Sequence, residues 1–112
     1  MILHITTRSR WEQAQQIGEY RADSLETEGF IHCSTPAQLL WVTQRFYSGQ
    51  TGLVLLKIDS DRLQARLQFD AIATGELFSH LYGALNLDAV VQVIEFEPGA
   101  DGLFQLPDAI QE

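Results

Sequence analysis

Three histidines are the residues of this 112-residue chain whose chemistry and neighbours most strongly indicate a functional site. His4 is followed by a threonine, His32 by a serine and His80 by a tyrosine, in each case two positions later. Histidine donates, accepts or exchanges a proton near neutral pH, and hydroxyl groups supply further hydrogen bonds to a ligand. We therefore predict that the three rings line one pocket.

The first of these segments is typical of a strand end that holds a sugar and a phosphate. Alternating side chains place His4 and Thr6 on one face of a strand, and Arg8 follows two residues later. An imidazole and a hydroxyl can bind ribose hydroxyls, and a guanidinium fits phosphate oxygens. The alternative is a partly buried histidine that is hydrogen-bonded to the backbone, with Arg8 and Arg10 in solvent.

The second segment, residues 29–36, leads from a short strand into the N-terminus of a helix. His32 and Ser34 project to the same side if the strand continues that far, and the backbone N–H groups of a helix start attract anions. This pair is predicted to bind a phosphate or to polarise a leaving group. In the alternative, Ser34 or Thr35 only caps the helix and His32 is a core residue. Cys33 is predicted to point the other way, into the interior.

The third segment, residues 78–85, is interpreted as a loop that mixes aromatic rings with a histidine. Such a loop can flank the planar ring of a ligand, and it would place His80 and Tyr82 at the pocket. The alternative is an apolar loop packed on the sheet, with His80 hydrogen-bonded to the backbone.

Three histidines are also a ligand set of catalytic zinc sites, which leave a fourth position open. The separations in this chain are long, and none has the short helical spacing of a His-Glu-x-x-His motif. We therefore predict no metal. The sequence also has no Gly-x-Ser-x-Gly nucleophile motif, dinucleotide fingerprint or Walker loop.

The composition is that of a globular protein, with 46% apolar and 20% charged residues. The net charge of −8 disfavours binding to nucleic acid or to an anionic membrane surface, because both need clustered Lys and Arg. The single cysteine excludes an internal disulfide and fits a reducing compartment. No apolar run is long enough to span a bilayer. We predict a cytoplasmic protein with a small-molecule or nucleotide partner.

The elements that must position these residues are predicted from periodicity and turn signals. Helices are expected over residues 11–17, capped by Ser9 and ended by Gly18, and from Pro36 to Gly49. Residues 23–29 are interpreted as an acidic turn. Strands are expected at residues 2–6, 30–33, 53–58, 67–69, 90–96 and 103–106. These elements predict a single α+β domain, residues 1–112, with two main helices and a mixed or antiparallel sheet. Its core is expected at about residues 1–97, and residues 98–112 are expected to form a tail.

Four stretches resemble, in this order, a small bacterial family known as domain of unknown function 952. They are residues 4–6, 28–34, 53–59 and 78–83, which contain the motifs Gly-Phe-Ile-His-x-Ser and His-Leu-Tyr-Gly. The resemblance extends through about residue 97. Ser79 stands where the family usually has a proline before its third histidine.

This family resembles the ADP-ribosyltransferase-like fold, which includes the NAD-dependent RNA 2′-phosphotransferases. The resemblance implies a curved, split β-sheet with flanking helices and a cleft that binds NAD. It implies that His4 and Thr6 bind the ribose on the nicotinamide side, with Ile5 where a glycine is common. It also implies an aromatic residue stacked on nicotinamide, Tyr82 in preference to Tyr47.

In the transferase hypothesis, NAD lies across the cleft with a phosphate near Arg8, Arg10 or the helix start at Ser34. A late-strand carboxylate, Glu95 or its neighbour Glu97, stabilises positive charge on the ribose as nicotinamide leaves. His32 or His80 positions the incoming group or exchanges a proton. Two other hypotheses stay open: a non-catalytic binding or accessory domain that uses the same pocket, and a metal-dependent hydrolase or lyase.

Overall fold

The computed structural model describes residues 1–110, which form an α+β domain whose strands all pair antiparallel. The helices are α1 (Arg8–Ile17), α2 (Asp23–Thr27) and α3 (Pro36–Phe46), with single helical turns at Ser60–Arg62 and Leu87–Ala89. The strands are β1 (Ile2–Thr7), β2 (Glu19–Tyr20), β3 (Ile31–His32), β4 (Leu53–Ile58), β5 (Arg66–Ala71), β6 (Leu77–Tyr82), β7 (Leu85–Asn86) and β8 (Val90–Phe96). Of the two predicted sheet types, the antiparallel one is confirmed.

Two three-stranded sheets meet at the edge of β1. One has the order β1-β4-β8 and the other β3-β6-β5, while β2 and β7 form a separate pair. Leu3 and Ser34 exchange backbone hydrogen bonds of 2.7 and 2.9 Å, which join β1 to the segment after β3. The strands therefore follow one another across the molecule as β8, β4, β1, β3, β6 and β5, and β1 lies beside the histidine of β3.

Burial on both faces of the β1-β4-β8 sheet creates two hydrophobic clusters. Side chains alternate along a strand, so neighbouring residues of β4 enter opposite clusters. Val54 and Leu56 pack on the side of α1, together with Trp11, whereas Leu53 and Leu55 pack on the other side. This two-sided burial explains why residues 53–58 are a nearly continuous apolar run, and the predicted central strand is confirmed.

Both main helices occur where the sequence predicts them, but their ends differ. Thr7, not Ser9, caps α1, because its hydroxyl accepts the backbone N–H of Arg10 at 3.2 Å. Gly18 ends α1 in the left-handed region at φ 101°, as predicted. Pro36 begins α3 as predicted, but the helix ends at Phe46. No helix within residues 1–110 has the length and apolar character needed to cross a membrane.

Three other predictions about elements are wrong. Residues 78–85 are not a loop, because β6 and β7 occupy most of this stretch, and burial of most β6 side chains removes the alternation that identifies strands. Residues 23–27 form a short helix with acidic groups in its first turn, where the helix dipole favours them. Residues 103–106 form no strand.

The segment after β8 packs against the core on the side of α3. The ring of Phe104 lies 4.7 Å from that of Phe96, and both side chains are buried. Ile110 is buried in the same cluster. Phe104 and Ile110 therefore anchor this segment on the α3 side of the β1-β4-β8 sheet.

The buried hydroxyl of Ser79, on β6, leads to a prediction about the stability of the protein. Ser79 is 1% exposed, and its Oγ is the buried side-chain polar atom within residues 1–110 that has no hydrogen-bond partner. Because an unpaired buried hydroxyl costs free energy, Ser79→Ala should raise the free energy of unfolding by up to about 1 kcal/mol. Urea unfolding measures this change.

Thr43→Val is the matched control, because the buried hydroxyl of Thr43 donates to the Leu39 carbonyl at 2.7 Å. This variant should lower the free energy of unfolding by about 1 kcal/mol. Equal destabilisation by the two substitutions would contradict the absence of a partner for Ser79.

Candidate functional site

One face of the β3-β6-β5 sheet gathers polar and aromatic side chains from all three strands. We call it the histidine face. The antiparallel register pairs His80 with His32 on one side and with Gln68 on the other. Because side chains two residues apart share a face, this side carries His32 of β3, His80 and Tyr82 of β6, and Arg66, Gln68 and Asp70 of β5.

A carboxylate at the centre of this face holds His80 in one orientation. His80 Nδ1 donates to Asp70 Oδ2 at 2.8 Å, and the Tyr82 hydroxyl donates to the same oxygen. Gln68 Nε2 donates to Asp70 Oδ1. The hydrogen bond from Tyr82, followed by those from Gln68 and His80, lowers the pKa of Asp70 to about 2. The same bond to Asp70 raises the pKa of the Tyr82 phenol.

The other ring nitrogen of His80 is available. Because Nδ1 carries the proton that faces Asp70, a neutral ring has its lone pair on Nε2. Nε2 has no hydrogen bond to any residue in the described range, and it is not one of the buried unpartnered atoms. It therefore reaches solvent, although only 7% of the side chain is exposed. An oriented imidazole of this kind can accept a proton from a bound molecule.

Phe30 covers the ring of His80. The two rings are nearly parallel, at an interplanar angle of 17°, and their centroids lie 3.9 Å apart. The Phe30 ring also lies 4.9 Å from His32 and 5.4 Å from Tyr82. Phe30 thus lies at the centre of the aromatic part of the face, beside both histidines and Tyr82.

His32 faces His80 across the strand pair. The ring centroids lie 5.4 Å apart at an angle of 78°. His32 Nε2 lies 2.8 Å from Glu28 Oε2 and donates to it, and 54% of the His32 side chain is exposed. The predicted convergence therefore holds for these two rings, and each has a carboxylate on one nitrogen.

His4 lies beneath this face and does not reach its surface. It is 6% exposed, Nδ1 donates to the His32 carbonyl at 2.6 Å, and Nε2 lies 2.7 Å from the Tyr20 hydroxyl. Burial lowers the pKa of His4 to about 4, an effect that the His32 carbonyl partly opposes. A neutral ring with its proton on Nδ1 accepts at Nε2, so Tyr20 donates to it.

Thr6 completes this buried group. Its Oγ1 lies 2.9 Å from the Tyr20 hydroxyl. The phenol has one hydrogen, which goes to His4, so the threonine hydroxyl donates to the phenol oxygen. Burial raises the pKa of Tyr20 to about 12, so the phenol stays protonated at neutral pH. His4 and Thr6 share a face as predicted, and the hydrogen bonds of this group end at the β3 backbone.

The arginine and glutamate predicted for the pocket lie together in another part of the molecule. The Arg8 guanidinium forms a 2.5 Å ion pair with Glu95, and both side chains are exposed. Glu95 is on β8, four strand positions from β6. The structure therefore does not bring Arg8 or Glu95 to His32 and His80.

Ser34 and Cys33 occupy backbone positions that connect the two sheets. Ser34 is buried and bonds through its backbone to Leu3 of β1. Thr35 caps α3, where its N–H donates to the Gln38 side chain at 3.1 Å. The prediction that Cys33 points inward is confirmed, and burial raises the pKa of its thiol to about 12.

The sequence prediction missed four polar residues around the histidines. Glu28, Gln68 and Asp70 hydrogen-bond within the site, and the Arg66 guanidinium lies 4.8 Å from the centre of the Tyr82 ring. The alternation Arg66-Leu67-Gln68-Phe69-Asp70 is the signal that could have found three of them. It indicates a strand with one polar face just before the His80 segment.

Two further features of the described residues concern metal and small-molecule sites. No group of three or more His, Cys, Asp or Glu within residues 1–110 is arranged to hold a metal ion. A shallow depression of about 160 Å³ lies beside Tyr20, between Arg10 and Arg21. Both arginines are paired there with carboxylates, Asp23 and Glu19 respectively. Its volume is below the roughly 300 Å³ typical of small-molecule sites.

Comparison with protein families gives a match over most of the chain. The model described as "Protein of unknown function (DUF952)" matches residues 5–93. The chain belongs to the DUF952 family. The matched range includes His32, Asp70, His80 and Tyr82, whereas Glu95 lies outside it. No match was found among curated proteins.

Two solved structures of another protein are similar to this DUF952 domain. The X-ray crystal structure of protein CC0527 from Caulobacter crescentus has a TM-score of 0.88 and 31% identity, covering 97% of this chain and 96% of that one. The solution NMR structure of CC0527 has a TM-score of 0.84 and 31% identity, covering 98% and 96%. The similarity therefore extends over nearly the whole length of both chains.

Proposed function

We propose that the histidine face of this DUF952 domain binds NAD or a related nucleotide, and that His80 exchanges a proton with the bound molecule. The observation that carries the proposal is the state of His80. Asp70 fixes Nδ1 at 2.8 Å, while Nε2 has no hydrogen-bond partner within residues 1–110 and reaches solvent. A histidine held by a carboxylate is a common form of general base.

The groups around His80 support a nucleotide as the ligand. Phe30 and Tyr82 are aromatic rings on which a base or nicotinamide can stack. Arg66 has no ion pair within residues 1–110, and its guanidinium lies at the edge of the face beside Tyr82. Arginine binds phosphate oxygens through two parallel hydrogen bonds. Such a ligand is available in the cytoplasm, the compartment that the sequence predicts.

ADP-ribosyl transfer is the reaction that the family resemblance implies for this ligand. Loss of nicotinamide leaves positive charge on the ribose, which a nearby carboxylate would stabilise. Asp70 is the carboxylate of the face that holds His80, its pKa is lowered to about 2, and Glu95 is paired with Arg8 elsewhere. Because Asp70 already accepts three hydrogen bonds, binding without transfer is the second candidate function.

A titration with NAD, ADP-ribose and nicotinamide tests the proposal. A ligand at 100 times its dissociation constant stabilises the folded state by about 2.7 kcal/mol, so Tm should rise with concentration. Arg66→Gln should weaken nucleotide binding about tenfold or more. Arg45→Gln is the matched control, because Arg45 also lies over an aromatic ring, that of Trp41 at 5.5 Å, but on α3.

Three outcomes decide between the candidates. Release of nicotinamide from NAD, as measured by chromatography, supports transfer chemistry. Binding without consumption of NAD, even with acceptors present, supports a binding domain. No shift in Tm at millimolar ligand, or equal loss in the Arg66 and Arg45 variants, would overturn nucleotide binding at this face.

A further inference from the structure

Two histidines oppose each other on this face, and each has its own carboxylate. Glu28 holds His32 at Nε2 and Asp70 holds His80 at Nδ1, both at 2.8 Å. The ring centroids are 5.4 Å apart. Among the described residues, 1–110, nothing bonds to the second nitrogen of each ring, so Nδ1 of His32 and Nε2 of His80 remain for a ligand. Two imidazoles fixed in this way can serve as an acid and a base on one substrate.

We propose that this pair hydrolyses nucleoside 2′,3′-cyclic phosphates, with His80 as the general base and His32 as the general acid. This reaction differs from the NAD chemistry proposed above. A five-membered cyclic phosphate is strained, and its opening needs an activated water and a protonated leaving oxygen. The histidine pair supplies both from adjacent strands.

The step balances with water as the co-reactant. Nε2 of neutral His80 takes a proton from water, and the water oxygen forms a bond to phosphorus. One P–O bond of the ring breaks, and the ribose oxygen that leaves takes the proton from Nδ1 of the His32 imidazolium. The product is a nucleoside 2′- or 3′-monophosphate. A proton then passes from His80 to solvent, and the exposed His32 regains one from solvent.

The surroundings favour a small cyclic nucleotide over a long RNA. The chain has a net charge of −8, so a polyanion would be repelled. The Arg66 guanidinium can bind the single phosphate, because Arg66 has no acidic partner within residues 1–110. Phe30 lies beside both histidines and offers a ring for stacking of the base.

The experiment follows hydrolysis of 2′,3′-cyclic AMP and 2′,3′-cyclic CMP by ³¹P NMR, with EDTA present to suppress contaminating phosphodiesterases. His32→Gln and His80→Gln should each lower kcat by about 100-fold or more. Glu28→Gln should lower kcat several-fold with little change in KM or Tm, because Glu28 acts by positioning His32. Glu26→Gln is the matched control, since Glu26 is an exposed carboxylate on α2, the short helix that Glu28 caps at its C-terminus.

The outcomes separate this inference from the NAD proposal. Conversion of cyclic phosphate that depends on both histidines supports the inference, whether or not NAD binds. Binding of NAD without any such conversion overturns the inference and leaves nucleotide binding intact. Conversion that survives both histidine substitutions also overturns it. If the histidine variants fail to fold, the ratio of kcat for Glu28→Gln and Glu26→Gln decides, with equal values counting against the pair.

Discussion

The free energy of unfolding should fall by about 3 kcal/mol between pH 7 and pH 4 because of His4 alone. Burial lowers the pKa of this histidine from 6.5 to about 4 in the folded protein. Between these two values the unfolded chain binds a proton that the folded protein does not. Stability therefore rises with pH across this window, and it is lost as the pH falls through 6.5 towards 4.

The structural reason is that protonation of His4 would break the hydrogen bonds that join His4, Tyr20 and Thr6. A proton on Nε2 would face the Tyr20 hydroxyl, which donates there at 2.7 Å. The phenol would have to turn its hydrogen towards Thr6, and the threonine hydroxyl would lose its acceptor. A charge would also be placed in a core where 6% of the side chain is exposed.

Urea unfolding of the protein and of His4→Asn from pH 7 to pH 4 measures this effect. The asparagine amide can still donate to the His32 carbonyl, so the variant loses the titrating group and keeps one hydrogen bond. We expect the variant to be less stable at pH 7 and to lack most of the slope. Tyr20→Phe is the control that retains the imidazole, and it should keep a pH-dependent component.

NMR titration of the His4 ring is an independent readout that does not need a folded variant. Its carbon-bound protons should keep their neutral chemical shifts down to about pH 5, because the pKa is about 4. A ring that titrates near 6.5, or an unchanged slope in His4→Asn, would contradict the assignment.

Local sequence patterns predicted the elements that depend on the preference of one residue or on the burial of one apolar segment. Pro36 and Gly18 have conformational preferences that act at one position, and each marks a helix boundary as expected. The apolar run at residues 53–58 has to be buried on both sides, so its place in the centre of a sheet follows. By contrast, β6 combines buried polar and apolar residues, and its alternation cannot be recognised without the neighbouring strands.

The candidate site depends on register, which a single segment does not encode. His32 and His80 were predicted to converge, and their pairing across β3 and β6 places the rings in contact. Asp70 reaches His80 only because the turn at Gly75, with φ 89°, lets β5 and β6 form a hairpin. Had residues 77–82 been recognised as a strand, this hairpin would have placed Asp70 near His80.

Glu95 illustrates the opposite case. Its strand was predicted, and a carboxylate late in the chain matched what the family resemblance implies. The order of strands across the molecule is set by contacts between distant segments, such as the bridge from Leu3 to Ser34. That order places Glu95 at the far edge, where Arg8 pairs with it.

Replacing Asp70 with asparagine should lower kcat of the proposed cyclic phosphate hydrolysis about 100-fold or more, as measured by ³¹P NMR. The neutral amide no longer selects the tautomer with the proton on Nδ1, because its oxygen is a weaker acceptor and its nitrogen is a donor. Part of the His80 population then has no lone pair at Nε2. Nitrogen NMR of the ring should show a mixture of tautomers in Asp70→Asn and one tautomer in the unsubstituted protein.

The same substitution should change two pH-dependent properties that do not require turnover. The pKa of Tyr82 should return towards its ordinary value of 10.0, because its hydrogen bond to Asp70 is the first cause of its elevation. Stability should also lose the part of its pH dependence below 4 that Asp70 contributes. The pKa of Asp70 is about 2 in the folded protein and near 3.8 when unfolded, so its contribution is present above 3.8 and vanishes as the pH falls through 2.

Asp61→Asn and Glu95→Gln are the controls that show whether these effects are specific to Asp70. Asp61 is an exposed carboxylate in the turn before β5, so its variant should leave the Tyr82 titration and the His80 tautomer unchanged. Glu95→Gln removes the ion pair with Arg8 and should leave His80 unaffected, because four strand positions separate them. A larger loss of activity in Glu95→Gln than in Asp70→Asn would instead favour the carboxylate that the family resemblance implies, and would require Arg8 and Glu95 to lie at the reacting atoms.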